Sequence, residues 1–146
     1  MNYWIFQAVP KRFDIRIKLD AGASLTWYAT RYHKKMEPHD IVFFWLGGVP
    51  IKEKGIYGWG RLTSTAYIKE DWDSNGVDVR VIEMFAKPIT LPDIMQNEIL
   101  NNMLILRMAI GTNFLLSENE AREIQALCKR LNPNTDFTKS IEGGDV

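Results

Sequence analysis

Apolar and polar positions divide this chain into an early part that reads as strands and a late part that reads as helices. Residues 2–9, NYWIFQAV, carry large β-formers on both faces, which predicts a strand buried on at least one side and ended by Pro10. From Lys11 to Lys35 the pattern is mixed: FDIRIKL fits a turn of helix or a short strand, and AGAS a loop. MEPHD is a turn, because Pro38 fixes its own φ and Asp40 can bond its neighbours' backbone. It leads into IVFFWLG, residues 41–47, an apolar run of β-branched and aromatic residues that suits a central strand. GIYGWGRLTS, residues 55–64, reads as a strand in which Gly58 and Gly60 mark a bulge, a tight bend or the close approach of another group. VDVRVIEMF, residues 77–85, sets Val77, Val79 and Val81 against Asp78, Arg80 and Ile82, a half-buried strand.

Two helices follow. TLPDIMQNEILNNMLIL places Leu91, Ile94, Met95 and Ile99 at helical spacing, with Thr90 as a cap and Pro92 in the first turn. In SENEAREIQALCKRL, Ser117 and Glu120 form a capping box, and Leu116 can staple onto Ala121. Ala121, Ile124, Leu127, Cys128 and Leu131 make its stripe, Lys129 and Arg130 suit its C-terminal dipole, and Asn132-Pro133 stops it. Residues 134–146 are poor in apolar side chains and read as a flexible tail behind a domain of residues 1–133. Strands first, with curved-sheet glycines, and helices late predict an α+β fold: a small, strongly curved β-barrel with flanking helices.

Composition narrows the class. At 146 residues, 46% apolar and 25% charged, the chain suits one globular domain. No run approaches the roughly 18 apolar residues that span a bilayer, and MNYWIFQAVPKRF lacks the features of a signal peptide, so a cytoplasmic protein with no membrane role is expected. The single cysteine, Cys128, agrees with a reducing compartment. Net charge is zero, yet residues 1–69 hold 11 Lys and Arg against 5 Asp and Glu, whereas residues 70–146 hold 7 against 13. Either these +6 and −6 halves face each other, or the first half supplies a basic face for a polyanion. Aromatic content is high at 12%, with five Trp.

Signals of catalysis are weak. His33 and His39 lack partners at ligand spacing, so neither zinc nor any other cofactor is expected. Cys128 on an apolar stripe reads as a buried, unreactive thiol, and Glu70, Asp71 and Asp73 read as a solvated turn before an acid–base pair. No phosphate-cradling glycine loop is present, since GGVP and GIYGWG lack the lysine or helix start that would make one. The segment LTWYATRYHKKM is richer. It interleaves Trp27, Tyr28 and Tyr32 with Arg31, His33, Lys34 and Lys35, rings that can stack on bases beside cations that can take phosphates. AYIKEDWDS adds Tyr67 and Trp72 from an acidic loop. A place in the core is the commoner fate of any one of these rings, but Trp27 from one loop with Tyr67 and Trp72 from another could enclose a planar ligand.

The blocks NYWIFQAVP, TRYHKKMEPHDIVFFW, GIYGWGRLTS and GTNFLLSENEAREIQAL, in this order over about residues 2–131, resemble the EVE domain, a PUA-like family related to the YTH and ASCH families. The resemblance implies a small mixed β-barrel. It also implies recognition of modified bases in nucleic acid, DNA or RNA, without catalysis and often beside restriction, modification or RNA-processing proteins. YTH relatives hold a methylated adenine in an aromatic cage. Their first cage Trp resembles Trp27 within Leu25-Thr26-Trp27-Tyr28, and their other two rings, five apart, resemble Tyr67 and Trp72. The chain departs at Tyr67, where the YTH pattern has Trp, which implies a looser cage or another base. The expected site is thus Trp27, Tyr67 and Trp72 as walls and the Tyr28 backbone at a base edge, with Arg31, Tyr32, His33, Lys34 and Lys35 on phosphates. Two other readings stand beside it: a PUA-type RNA-binding module with no preference for modified bases, and a small-molecule or nucleotide-binding enzyme whose mark would be Asp71 or Asp73 converging in a pocket with a metal or a His.

Overall fold

A computed structural model of the chain describes residues 1–141. In chain order the elements are β1 (Tyr3–Ala8), α1 (Ile15–Lys18), β2 (Ser24–Tyr28), β3 (Ile41–Leu46), β4 (Gly55–Leu62), β5 (Tyr67–Lys69), β6 (Ser74–Thr90), α2 (Leu91–Met95), α3 (Leu104–Arg107), β7 (Asn113–Leu115) and α4 (Glu118–Leu131). The strands form one curled sheet in the order β2-β6-β4-β3-β1-β7, with β5 added to β6. β1 and β3 run parallel and the other pairs antiparallel, so the sheet is mixed.

Alternation along the strands creates two cores. Trp4, Phe6 and Ala8 of β1 and Val42, Phe44 and Leu46 of β3 face inward, into a cluster with Trp27, Leu62, Val77, Val79 and Val81. Ile5, Ile41, Phe43 and Trp45 face outward, against Ile94, Leu100, Ile105, Ile124, Leu127 and Cys128 of the helical layer. Burial on both faces explains why residues 41–47 read as an unbroken apolar run. The bend comes from β4 and β6, whose register shifts between Ile56 and Gly58 and again between Trp59 and Gly60. A Cβ on Gly60 would strike the Arg80 carbonyl, so the glycine permits the close approach that its place in the sequence suggests.

The seam between the outer strands is closed by a side chain. Asn113 of β7, 4% exposed, donates from Nδ2 to the Tyr28 carbonyl at 3.0 Å and accepts at Oδ1 from the Thr30 N–H at 2.8 Å and the Thr30 hydroxyl at 3.1 Å. One carboxamide thereby joins the end of β2 to β7 where the sheet has no ladder.

Several elements differ from expectation. Residues 24–28 form a strand, and residues 113–115, unassigned from the sequence, form another. The helix expected over residues 90–106 is broken into α2, a 3-10 turn at Leu100–Asn102 and α3. The cause is Asn97, whose Oδ1 accepts from the N–H groups of Ile99 and Leu100 at 2.9 and 3.0 Å and offers the backbone an alternative to a continuous helix. α4 is as expected, with both halves of the Ser117–Glu120 capping box formed. The start of the expected tail is docked. Phe137 lies 4.8 Å from the Trp59 ring and 5.9 Å from Phe43, and the buried Arg61 guanidinium donates to the carbonyls of Phe137 and Lys139, each at 2.7 Å. Thr135, also buried, donates from its hydroxyl to Glu83 Oε2 at 2.9 Å; residues 142–146 of that tail lie outside the described part.

Candidate functional site

The pleat of β2 separates two neighbouring rings. Trp27 pairs with Val77, is 7% exposed, and packs 5.6–5.9 Å from the rings of Phe44, Phe6 and Phe13. Tyr28 pairs with Gly76 on the other face and is 45% exposed. β5 approaches the same glycine from its other side, with Tyr67 opposite Gly76. Tyr28, Gly76 and Tyr67 thus form one row across three strands. A Cβ on Gly76 would stand 2.9 Å from Cγ2 of Thr26 and 3.5 Å from Cζ3 of Trp72, so the Trp72 indole covers a spot left open by the missing side chain. The indole stacks on Tyr28 at 4.4 Å between centroids and 33° between planes.

Local backbone chemistry puts Trp72 there. The turn Glu70–Trp72 is closed by Asp73, whose N–H donates to the Glu70 carbonyl at 3.2 Å and whose φ of 51° reverses the chain into β6. Asp tolerates this left-handed conformation better than most residues. Lys69 sets its ammonium 5.0 Å from the indole centre and pairs with Asp71 at 3.1 Å. At the margin of the row, one oxygen of Asp78, Oδ1, accepts from the hydroxyls of Tyr67 at 2.7 Å and Thr26 at 2.8 Å.

The structure therefore brings together Tyr28, Tyr67 and Trp72 and leaves Trp27 apart. This corrects the expected three-walled cage, because strand alternation turns Trp27 into the barrel. The Tyr28 carbonyl is likewise engaged by Asn113, and the group that Tyr28 presents outward is its ring. Thr26, Gly76 and Asp78 were missed. SLTWY does alternate, Leu25 and Trp27 against Thr26 and Tyr28, but two adjacent aromatics hide the period.

The basic segment begins three residues beyond Tyr28. Tyr32 takes a left-handed φ of 64° and starts the 3-10 turn His33–Lys35. Its ring lies 6.5 Å from Trp4, with the Lys35 ammonium 5.6 Å away, and Asn2 Nδ2 donates to the Lys35 carbonyl at 2.9 Å. Below, the buried Asp40 carboxylate accepts from Trp4 Nε1, from the Asn2 N–H and from the Glu37 N–H at 3.0–3.1 Å, which ties the turn that follows to β1. Arg31, Lys34 and Lys35 are exposed and His33 is half-buried.

Other candidates behave as their surroundings dictate. Burial, reinforced by the negative charge of Glu83, pushes the Cys128 thiol well above its ordinary pKa, so thiolate chemistry is suppressed. Asp71 and Asp73 are exposed on the turn rather than converging in a pocket with a His. Among the described residues no three His, Cys, Asp or Glu side chains gather as a metal site would need, and no helix is long and apolar enough to cross a membrane. An open depression of about 410 Å³ on the β5–β6 hairpin is lined by Ile68, Glu70, Asp73, Ser74 and Asn75.

The curled mixed half-barrel with flanking helices is a PUA-like fold. A protein from Leishmania major, 18% identical, superimposes with a TM-score of 0.72 over 90% of this chain and 97% of its own. Rpa0253 from Rhodopseudomonas palustris, also 18% identical, gives 0.70 over 93% and 97%. Human THYN1, solved in complex with DNA containing 5-methylcytosine, gives 0.69 at 20% identity over 87% and 97%. No curated sequence matches significantly. The family model of the EVE domain matches residues 2–127, and the chain belongs to that family.

Proposed function

We propose that this chain is a non-catalytic reader of a modified, methylated base in nucleic acid, with Tyr28, Tyr67 and Trp72 contacting the base. The observation that carries this reading is the Tyr28–Trp72 stack over Gly76. Large rings held at the surface, one on β2 and one on the polar β5–β6 hairpin, above a glycine and outside both core clusters, offer a flat apolar surface to a ligand. Arg31, Lys34 and Lys35 supply charge for phosphates, with Tyr32 and His33 as hydrogen-bonding neighbours, and Trp27 supports β2 from behind. A relative of the same fold in complex with 5-methylcytosine DNA agrees with this class of partner.

The energetics are adequate. Unstacking a base costs a few kcal/mol, and each base–aromatic contact returns about 1–3 kcal/mol. A methyl group buried among the rings adds about 0.8 kcal/mol and favours the modified base. The test is titration of short oligonucleotides, methylated and unmethylated, followed by tryptophan fluorescence. The methylated strand should bind more tightly, and Trp72→Ala should weaken it about 5- to 100-fold. Equal, negligible binding of all strands, unchanged in Trp72→Ala, would refute the reading.

A further inference from the structure

We infer that Asp78 makes the aromatic site selective for bases that carry an exocyclic amino group, cytosine or adenine type, over their oxo counterparts; the inference rests on the function proposed above. Asp78 stands two residues along β6 from Gly76, hence on the same face of the sheet. Its Oδ1 is joined to one ring of the site, through the Tyr67 hydroxyl, and to Thr26, whose methyl borders Gly76. The backbone of Asp78 is fixed as well, its N–H donating to Ser64 Oγ at 3.0 Å.

Proton bookkeeping gives this cluster a single polarity. A carboxylate has no proton to donate, so in both contacts the hydroxyl is the donor, and a hydroxyl has one proton. Tyr67 and Thr26 have therefore committed their protons to Asp78. What the cluster offers to a ligand is lone pairs: those of Asp78 Oδ2 and the remaining ones on the two hydroxyls. An amino group at N4 of cytosine or N6 of adenine supplies the matching donor, whereas O4 of thymine or uracil and O6 of hypoxanthine would meet like polarity.

5-Methylcytosine and thymine share the C5 methyl and exchange the amino group for an oxygen, so they separate this selection from the methyl preference. Oligonucleotides with one central 5-methylcytosine, thymine, cytosine or uracil are titrated against the full chain and against Asp78→Asn. A parallel adenine and hypoxanthine pair tests the purine arm. The wild type should prefer the amino member of a pair by about tenfold or more. Asp78→Asn keeps an oxygen for both hydroxyls but presents donors in place of Oδ2, so the preference should collapse or reverse while the melting temperature holds. If methylated strands bind better than unmethylated ones but amino and oxo members bind alike, the proposed function survives and the role of Asp78 is overturned. An unchanged ratio in a folded Asp78→Asn also overturns it. Failure of the wild type to bind any methylated strand overturns both.

Discussion

At the scale of single residues, adjacent rings on one strand have opposite surroundings, Trp27 buried and Tyr28 exposed, and the roles proposed for them can be told apart by experiment. Trp27 is enclosed by Phe6, Phe13 and Phe44, so Trp27→Ala leaves a cavity and should lower unfolding free energy by about 3–5 kcal/mol. Tyr28→Ala removes a ring that is 45% exposed and should cost less than about 1 kcal/mol of stability while weakening oligonucleotide binding. Denaturant unfolding and fluorescence titration of both variants check the separation. A loss of binding in Trp27→Ala with stability intact would restore it to the wall of the site. The sequence told us that these rings are unusual, because Tyr67 and Trp72 fall in an acidic stretch. It could not tell which ring faces out, since that depends on pairing Tyr28 with Gly76 across 48 residues of chain.

At the scale of elements, legibility follows the range of the determinants. α4 was readable to the residue because its capping box and stripe are local, and β3 was readable because burial on both sides forces a continuous apolar run. The break between α2 and α3 was not, because one Asn97 side chain redirects the backbone against a helical spacing of apolar residues. The segment after α4 differs from expectation for a related reason: its anchors, Thr135 and Phe137, find partners in Glu83 and Trp59 far away in sequence. Removal of residues 134–146 should therefore destabilise the domain by about 2–4 kcal/mol, through exposure of the surface that Phe137 covers and removal of two acceptors for the buried Arg61 guanidinium. Urea unfolding of the truncated chain measures it; an unchanged midpoint would mean that the segment contributes nothing.

At the scale of the whole molecule, a chain of zero net charge binds a polyanion only if its charges are segregated, and the first 69 residues carry the surplus of cations. The exposed Arg31, Lys34 and Lys35 belong to that half, three to seven residues beyond Tyr28. Replacing Lys34 and Lys35 by Ala should lower affinity for methylated and unmethylated strands alike. It should also reduce the slope of log affinity against log salt by about 1 for each phosphate that is no longer neutralised. The methyl preference should persist as salt rises. A slope unchanged by the double substitution would move the phosphate track elsewhere on the domain.

Asn113 gives this arrangement a mechanical property. A strand ladder shares load over many bonds; between β2 and β7 the load passes through the Asn113 carboxamide, with the Phe6–Trp27 contact packed behind it. Because the same amide holds the backbone at both Tyr28 and Thr30, the anchorage of the exposed Tyr28 ring depends on a residue of the opposite edge strand, 85 positions further along the chain.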